Sequence, residues 1–496
     1  MKISNRYTKK IRWSSAFFSV TIIPHNIDWE VIVMERNLTK GSIFHNLILF
    51  SLPYLLSCFL QSFYGLADLF ITGQFNGADA ISAVSIGSQV THMLTLVITG
   101  LSMGTTVTLA RAIGSGDKRL MKRTIASTVV LFTIFSVITT LVLLLSLENI
   151  LTLLSTPAEA FQQAEDYLKI CFLGIPFITA YNVISAVFRG MGDSRRPMYF
   201  IAAGGVINII LDVILIGPLK MGAAGAALAT TISQACSVIF AVSALRNINP
   251  GISLHKYDFI PGKTTLRKIL QVGLPIALQE GLVQISFLII TTIANQRGVT
   301  VSASVGIVEK IICFLFLVPS AMMSSVSAIA AQNAGAGRHE RGRKTLFYAL
   351  GICLIFGLSV SGICQLRAEP ILALFSKGEH AVVAMGAQYL RTYVFDCVFS
   401  GIQFCFSGYF YAYGKSYISF LQNVVSVFLI RIPGAYFATV LFPDTLTPMG
   451  LASPAASLFS AVLSILIFVK LRRYIGTLRE RKNISGTSSG LQKQAV

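Results

Sequence analysis

Twelve stretches of about 20 or more mainly apolar residues recur along the chain, and they limit its fold more than any other feature. They run over residues 45–72, 79–110, 124–147, 160–188, 197–217 and 222–245, then 266–294, 300–332, 345–367, 380–410, 417–440 and 448–471. A helix of that length crosses the hydrocarbon core of a bilayer. The expected fold class is an all-α polytopic membrane protein with no separate soluble domain. Composition agrees: 54% of residues are apolar and 12% charged. The polar linker 246–265 divides a six-span half, 34–245, from a second, 266–475, and a polar tail, 476–496, follows. Residues 1–33 hold basic residues and a short apolar run but no small-residue cleavage site, which argues against a signal peptide. Met34 opens a more natural start, so 1–33 read as an extension that is disordered or not translated.

The net charge of +19 raises nucleic acid as a partner, but that reading needs the cations clustered on one folded surface. Here they alternate between loops. Arg111, Lys118, Arg119, Lys122, Arg123, Arg189, Arg195, Arg196, the cations from Arg246 to Lys268, Arg338, Arg341, Arg343, Lys344, Lys415 and those from Lys470 to Lys493 supply twenty-five Lys and Arg on one side. Lys169, Lys220, Arg297, Arg367 and Lys377 supply five on the other. The positive-inside rule then puts both termini in the cytoplasm, with lipid and not nucleic acid as the surroundings. The eight Cys lie in apolar runs with no CxxC and no Cys/His cluster, against a disulfide framework or a metal centre. No HExxH, Ser-His-Asp order or hydrolytic carboxylate pair is present, so an enzyme is not expected, nor a cofactor.

The halves repeat. At a shift of 222 residues Pro53 in FSLPYLL meets Pro275 in VGLPIAL, and Gly192 in GMGDS meets Gly414 in AYGKS. At 221, Gly114 and Gly116 in AIGSG meet Gly335 and Gly337 in NAGAG. At 228, MGAAGAA from Met221 meets MGLASPA from Met449. Six spans per copy give both copies the same topology, hence a pseudo-two-fold axis along the membrane normal and a substrate cavity between two lobes. The Gly-containing loops lack P-loop spacing and read as turns between helices.

Polar groups inside the spans carry the functional signal, because an ionisable side chain in lipid costs roughly 2.5–3.5 kcal/mol by insertion scales and so faces a packed interior or an aqueous cavity. Asn208 and Asp212 stand one turn apart on one face of the fifth span. Counting depth at about 1.5 Å per residue brings Asp68 of the first span to the level of Asp212, with Asn208 one turn deeper and Thr230 of the sixth span nearby. This oxygen set suits Na⁺, with Asp68, Asn208 and Asp212 as ligands, and two neighbouring carboxylates also repel enough for one to hold a proton reversibly.

The second half carries Gln279, Glu280, Glu309, Lys310, Asp396 and Arg431, none aligned with the acids of the first. These form either a charge network, with Lys310 reaching Glu280 or Asp396, or part of a substrate cavity. The tenth span adds Phe395, Phe399, Phe404, Phe406, Tyr409, Phe410, Tyr411 and Tyr413, an aromatic wall that suits a flat cation or serves as ordinary packing. Met103, Met322, Met323 and His92 have the same two readings.

FSLPYLL, GLADLFITG, RAIGSGD, FRGMGDSRRP, NIILD, VGLPIAL and AQNAGAG stand in an order and spacing, over residues 34–475, that resemble the multidrug and toxic compound extrusion (MATE) family, in its DinF-like bacterial branch. The resemblance implies export of amphiphilic, often cationic small molecules in exchange for Na⁺ or H⁺; a monomer is the expected state, though no residue pattern fixes it. It also implies a cation site at Asp68, Asn208, Asp212 and Thr230. Glu280 and Asp396 lie on the helices that a NorM-like branch uses, without that branch's motif. A flippase for lipid-linked precursors or polysaccharide is the alternative. Its cavity would need many cations, and the spans hold Lys310, Arg391 and Arg431.

Overall fold

The structure is a computed structural model that describes residues 37–247, 262–376 and 379–492. The first half folds as α1 Ile43–Phe75, α2 Ala78–Ser115, α3 Lys118–Leu145, a short α4 Leu147–Leu153, α5 Ala158–Leu173, α6 Ile175–Gly190, α7 Arg195–Ile216 and α8 Gly222–Asn247. The second half follows with α9 Lys263–Asn295, α10 Val299–Leu315, α11 Leu317–Gly335, α12 His339–Ala373, α13 His380–Tyr393, α14 Asp396–Ala412 and α15 Ser416–Ser426. A π-helical turn Val427–Arg431 then leads into α16 Ile432–Leu441 and α17 Thr447–Gln492. No strand occurs among the described residues.

Taking α10 with α11 and α15 with α16, ten of these elements are long and apolar enough to cross a membrane. The pair α5 and α6, bent by 46°, makes an eleventh, and α13 with α14 covers the twelfth expected stretch. Three expected straight spans are thus broken: 160–188 at Gly174, 300–332 at Phe316 and 380–410 at residues 394–395. At the first break Pro176, which lacks a backbone N–H, stands in the opening turn of α6. The third span starts earlier than hydropathy indicates, because Asp117 caps Leu120 N at 2.9 Å and the basic run from Lys118 forms its first turns. α17 continues as helix beyond residue 475, so no helix end marks the expected tail. The expected extension 1–33 and residues 248–261 of the linker lie outside the described residues.

The Gly loops are helix caps. Gly116 and Gly337 have φ of +70° and +72°, and Gly192 and Gly414 have +92° and +69°. Each member of the two repeat pairs therefore takes the left-handed conformation that glycine adopts without strain.

The repeat governs packing as well. Within the first lobe α1 lies on α7, α2 on α5 and α6, and α8 on α5, α6 and α7; in the second, α9 lies on α15, α11 on α14, and α17 on α13, α14 and α16. Between lobes the pairing is reciprocal: α2 packs on α9 as α11 packs on α1, and α3 meets α9 as α12 meets α1. The pseudo-axis passes through the crossing of α2 and α11. A Cβ on Gly114 would run into the Gln332 carbonyl, and one on Gly335 into the Arg111 carbonyl.

The other close approaches between lobes, Gly104 on Ile269 and Gly273 on Leu101, lie in the halves of α2 and α9 nearest the basic loops. Met103 and Met323 are buried in this seam, where the Ser327 hydroxyl donates to Met103 Sδ at 3.4 Å. Arg111 Nε donates to the Ala412 carbonyl at the end of α14, 2.7 Å away. The turn before α1 is tied to the opposite lobe: Leu38 N donates to Gln332 Oε1 at 2.8 Å, Arg338 Nη1 to the Thr39 carbonyl at 2.7 Å and Arg341 Nη2 to the Gly41 carbonyl at 2.9 Å.

Candidate functional site

The first lobe brings together the four polar residues that depth had grouped. Asp68 is 4% exposed, and Asn208 and Asp212 are 0% exposed. Thr230 of α8 donates its hydroxyl to Asp68 Oδ2 at 3.2 Å, and Asp212 and Asn208 are the other polar groups facing the Asp68 carboxyl. Thr72 is tied one turn away, donating to the Asp68 backbone carbonyl at 2.7 Å.

Helix geometry explains the convergence. Spacing of four places Asn208 and Asp212 one above the other on α7, and α7 packs against both α1 and α8, which carry the remaining partners. Asp68 Oδ1, both polar atoms of the Asn208 amide and both Asp212 carboxylate oxygens are buried without a hydrogen-bond partner. A buried carboxylate without compensation costs several kcal/mol. Two of them side by side, with no Lys or Arg among the charges acting on them, form a site that lacks positive charge. Oxygen ligands of this kind can hold a cation, and two such carboxylates can share a proton.

Two tyrosines and a glutamine complete the shell. Tyr64 stands one turn before Asp68 beside Gln234 of α8, and Tyr167 of α5 lies close to both carboxylates. Tyr167 fits because Gly87 of α2 leaves room for its ring. Tyr64, Tyr167 and Gln234 carry no sequence signal that sets them apart from other polar residues of the spans.

In the second lobe the groups spread out. Glu309 accepts from Thr291 Oγ1 at 3.1 Å, and its other oxygen has no partner. Asp396 accepts from Ser400 Oγ at 2.8 Å. Between them stands Arg431, 8% exposed, with Nε on Ser453 Oγ at 3.0 Å, Nη2 on Tyr393 OH at 3.0 Å and the Phe287 ring 4.3 Å from its guanidinium carbon. Arg431 closes the π-helical turn, a distortion common at functional sites that the sequence did not announce. Lys310 forms no salt bridge with Glu280 or Asp396; the salt bridges among the described residues are Arg196–Asp193, Arg343–Glu340 and Arg391–Glu369.

Lys310 is exposed and faces His92 of α2 across the lobes. Gln279 accepts from Tyr411 OH at 3.3 Å, and half-buried Glu280 lies near the same tyrosine. Of the aromatic wall, Phe406, Phe410 and Tyr411 are core residues, with Phe406 and Tyr409 each 5.5 Å from the Phe468 ring. Phe399 and Phe404 are only half-buried.

The MatE family model matches residues 53–214 and again residues 275–437, one match in each lobe. The chain belongs to the MATE family. The two matches begin 222 residues apart, the register of the repeat. It is similar to the probable multidrug resistance protein YpnP of Bacillus subtilis (strain 168), 29% identical over 432 residues covering 87% of this chain and 96% of that one. It is also similar to the multidrug export protein MepA of Staphylococcus aureus (strain NCTC 8325 / PS 47), 25% identical over 80% of this chain and 89% of that one. In fold it matches a MATE crystal structure in complex with MaL6, with TM-score 0.82 and 24% identity over 90% of this chain and 99% of the other. A further match is the outward-facing conformation of a multidrug resistance MATE transporter of the MOP superfamily, with TM-score 0.81 and 23% identity over 89% and 98%. This MATE protein is therefore a transporter with twelve spans in two lobes, and not an enzyme.

Proposed function

We propose that this MATE transporter exports small amphiphilic, often cationic compounds from the bacterial cytoplasm by antiport with Na⁺ or H⁺, working as a monomer in the plasma membrane. The coupling cation occupies Asp68, Asn208, Asp212 and Thr230 in the lobe 34–245. The compound occupies the cavity between that lobe and 266–475, where His92, Glu280, Lys310 and Phe399 are available to contact it. The observation that carries the reading is the cluster of five buried, unpartnered polar atoms on Asp68, Asn208 and Asp212. The names of the relatives YpnP and MepA support drugs as the cargo.

Both termini lie in the cytoplasm, as the loop asymmetry in Lys and Arg indicates. With that orientation the seam at Gly114 and Gly335, the Arg111–Ala412 bond and the ties to residues 38–41 close the cytoplasmic end, and the conformation faces outward. Cation entry from outside relieves the repulsion between Asp68 and Asp212 and lets α1, α7 and α8 close around them. Antiport follows when that closure and compound binding disfavour one another. The test is uptake of a fluorescent cationic compound into everted proteoliposomes with a Na⁺ or a H⁺ gradient imposed separately. One gradient is expected to drive accumulation; equilibration without accumulation under both would overturn the reading.

A further inference from the structure

The sequence places Arg189 among the basic loop residues, yet the structure draws it inside. It is 5% exposed, and its Nε and Nη2 are buried without hydrogen-bond partners. The Tyr54 ring of α1 lies 5.3 Å from its guanidinium carbon. No carboxylate forms a salt bridge with it among the described residues. The nearest acid in sequence, Asp193, is engaged by Arg196 Nε at 3.4 Å and by the backbone N–H of Arg195 and Arg196.

A guanidinium cannot shed its charge in a protein, so burial leaves a full positive charge that needs a counter-charge. The groups around Arg189 are neutral: Tyr54 and Cys58 on α1, Tyr181 and Ser185 on α6, with Ser324 of α11 beside Tyr54. The hydroxyls of Ser185 and Ser324 are also buried without partners. Side chains on a helix lean toward its N-terminus, which carries Arg189 back over Ser185, one turn earlier, and away from the loop. Unpartnered guanidinium N–H groups of α6 thus lie beside the Tyr54 ring of α1, which itself stands next to Ser324 of α11. Donors without an acceptor are what an anion requires.

We propose that Arg189 holds a small monoanion of chloride size, with Ser185 and Ser324 as accessory donors. Because α11 belongs to the other lobe, the anion ties the lobes together in this conformation and becomes accessible when α1 and α11 part. It is a site separate from the Asp68–Asp212 pair and of opposite polarity.

The test uses the full-length transporter in phosphatidylcholine nanodiscs, with thermal unfolding followed as chloride replaces gluconate at constant ionic strength. The expected result is a saturable rise in the midpoint, reproduced by bromide, lost in Arg189→Gln and weakened in Ser324→Ala. Should Arg189→Gln fail to fold, bromide-soaked crystals of the unaltered protein give the answer through an anomalous peak at the Arg189 guanidinium. If phosphatidylglycerol stabilises the unaltered protein, removes the halide effect, and does neither in Arg189→Gln, the anion is a lipid headgroup phosphate at the same site. Absence of halide dependence, phosphatidylglycerol dependence and the bromide peak would overturn the proposal, as would equal dependence in a folded Arg189→Gln protein.

Discussion

Gly114→Ala tests how the lobes are held at their closed end. The new Cβ would collide with the Gln332 carbonyl and lie close to the backbone N of Ala336. These are backbone atoms of α11 and its C-cap that no side-chain rotation can move, so α2 and α11 must separate. Overpacking of this kind costs about 1–3 kcal/mol. The cost falls on the closed arrangement alone, since each lobe keeps its own packing, and it corresponds to about a 5- to 150-fold shift toward the state with the lobes apart at this end. Spin labels at the exposed positions Arg119 and Glu340, one on each lobe beside the seam, report the separation by double electron–electron resonance. A longer-distance population is expected to grow in Gly114→Ala and equally in Gly335→Ala, its partner in the repeat. Gly116→Ala is the control: its Cβ meets open space and only the left-handed backbone is strained. A folded Gly114→Ala protein with an unchanged distance distribution would refute the account of the seam.

Further predictions concern both lobes. Thr230→Val keeps shape but removes the donor to Asp68 Oδ2, a charge-assisted bond of about 1.5–3 kcal/mol; apparent affinity for the coupling ion should change roughly ten- to a hundredfold, tighter for H⁺ and weaker for Na⁺, which also loses a ligand. Unchanged ion dependence of uptake would remove Thr230 from the site. Arg431→Met removes the charged hydrogen bonds to Ser453 and Tyr393 and the positive charge near Asp396 and Glu309, and should lower stability by about 1.5–3 kcal/mol, with Asp396→Asn restoring part of it in the double variant; additive losses in thermal unfolding would show that the two do not interact. Gln332→Ala removes the acceptor of Leu38 N, worth about 0.5–1.5 kcal/mol, and should modestly raise the same long-distance population as Gly114→Ala.

What was legible in the sequence follows from how costly each feature is in lipid. Asp68, Asn208 and Asp212 stood out because no lipid-facing position tolerates them, and helical rise alone set them level with Thr230. Tyr167 and Gln234 did not stand out, since neither residue type is expensive enough in a span to demand a function. The repeat was visible in Pro53 with Pro275 and Gly114 with Gly335, but sequence pairs equivalent positions without indicating that each glycine packs against the backbone of the other's helix, Gly114 on Gln332 and Gly335 on Arg111. Arg189 misled because a cation beside GMGDSRRP looks like a loop residue, and only packing shows its side chain turned inward. The break at residues 394–395 directly precedes Asp396, and the π-helical turn ends at Arg431 two residues before Pro433, which lacks a backbone N–H; a window average of hydropathy smooths over both marks.

The central claim is that coupling resides in the first lobe, at the carboxylates that lack positive charge, and not at Glu309 and Asp396, which have Arg431 beside them. The most direct measurement is gradient-driven uptake of a cationic compound into everted proteoliposomes containing Asp212→Asn or Glu309→Gln, at matched protein density. Asp212→Asn is expected to abolish accumulation under the driving gradient while Glu309→Gln retains it. Accumulation at the unaltered rate in Asp212→Asn, or its loss in Glu309→Gln alone, would contradict the account.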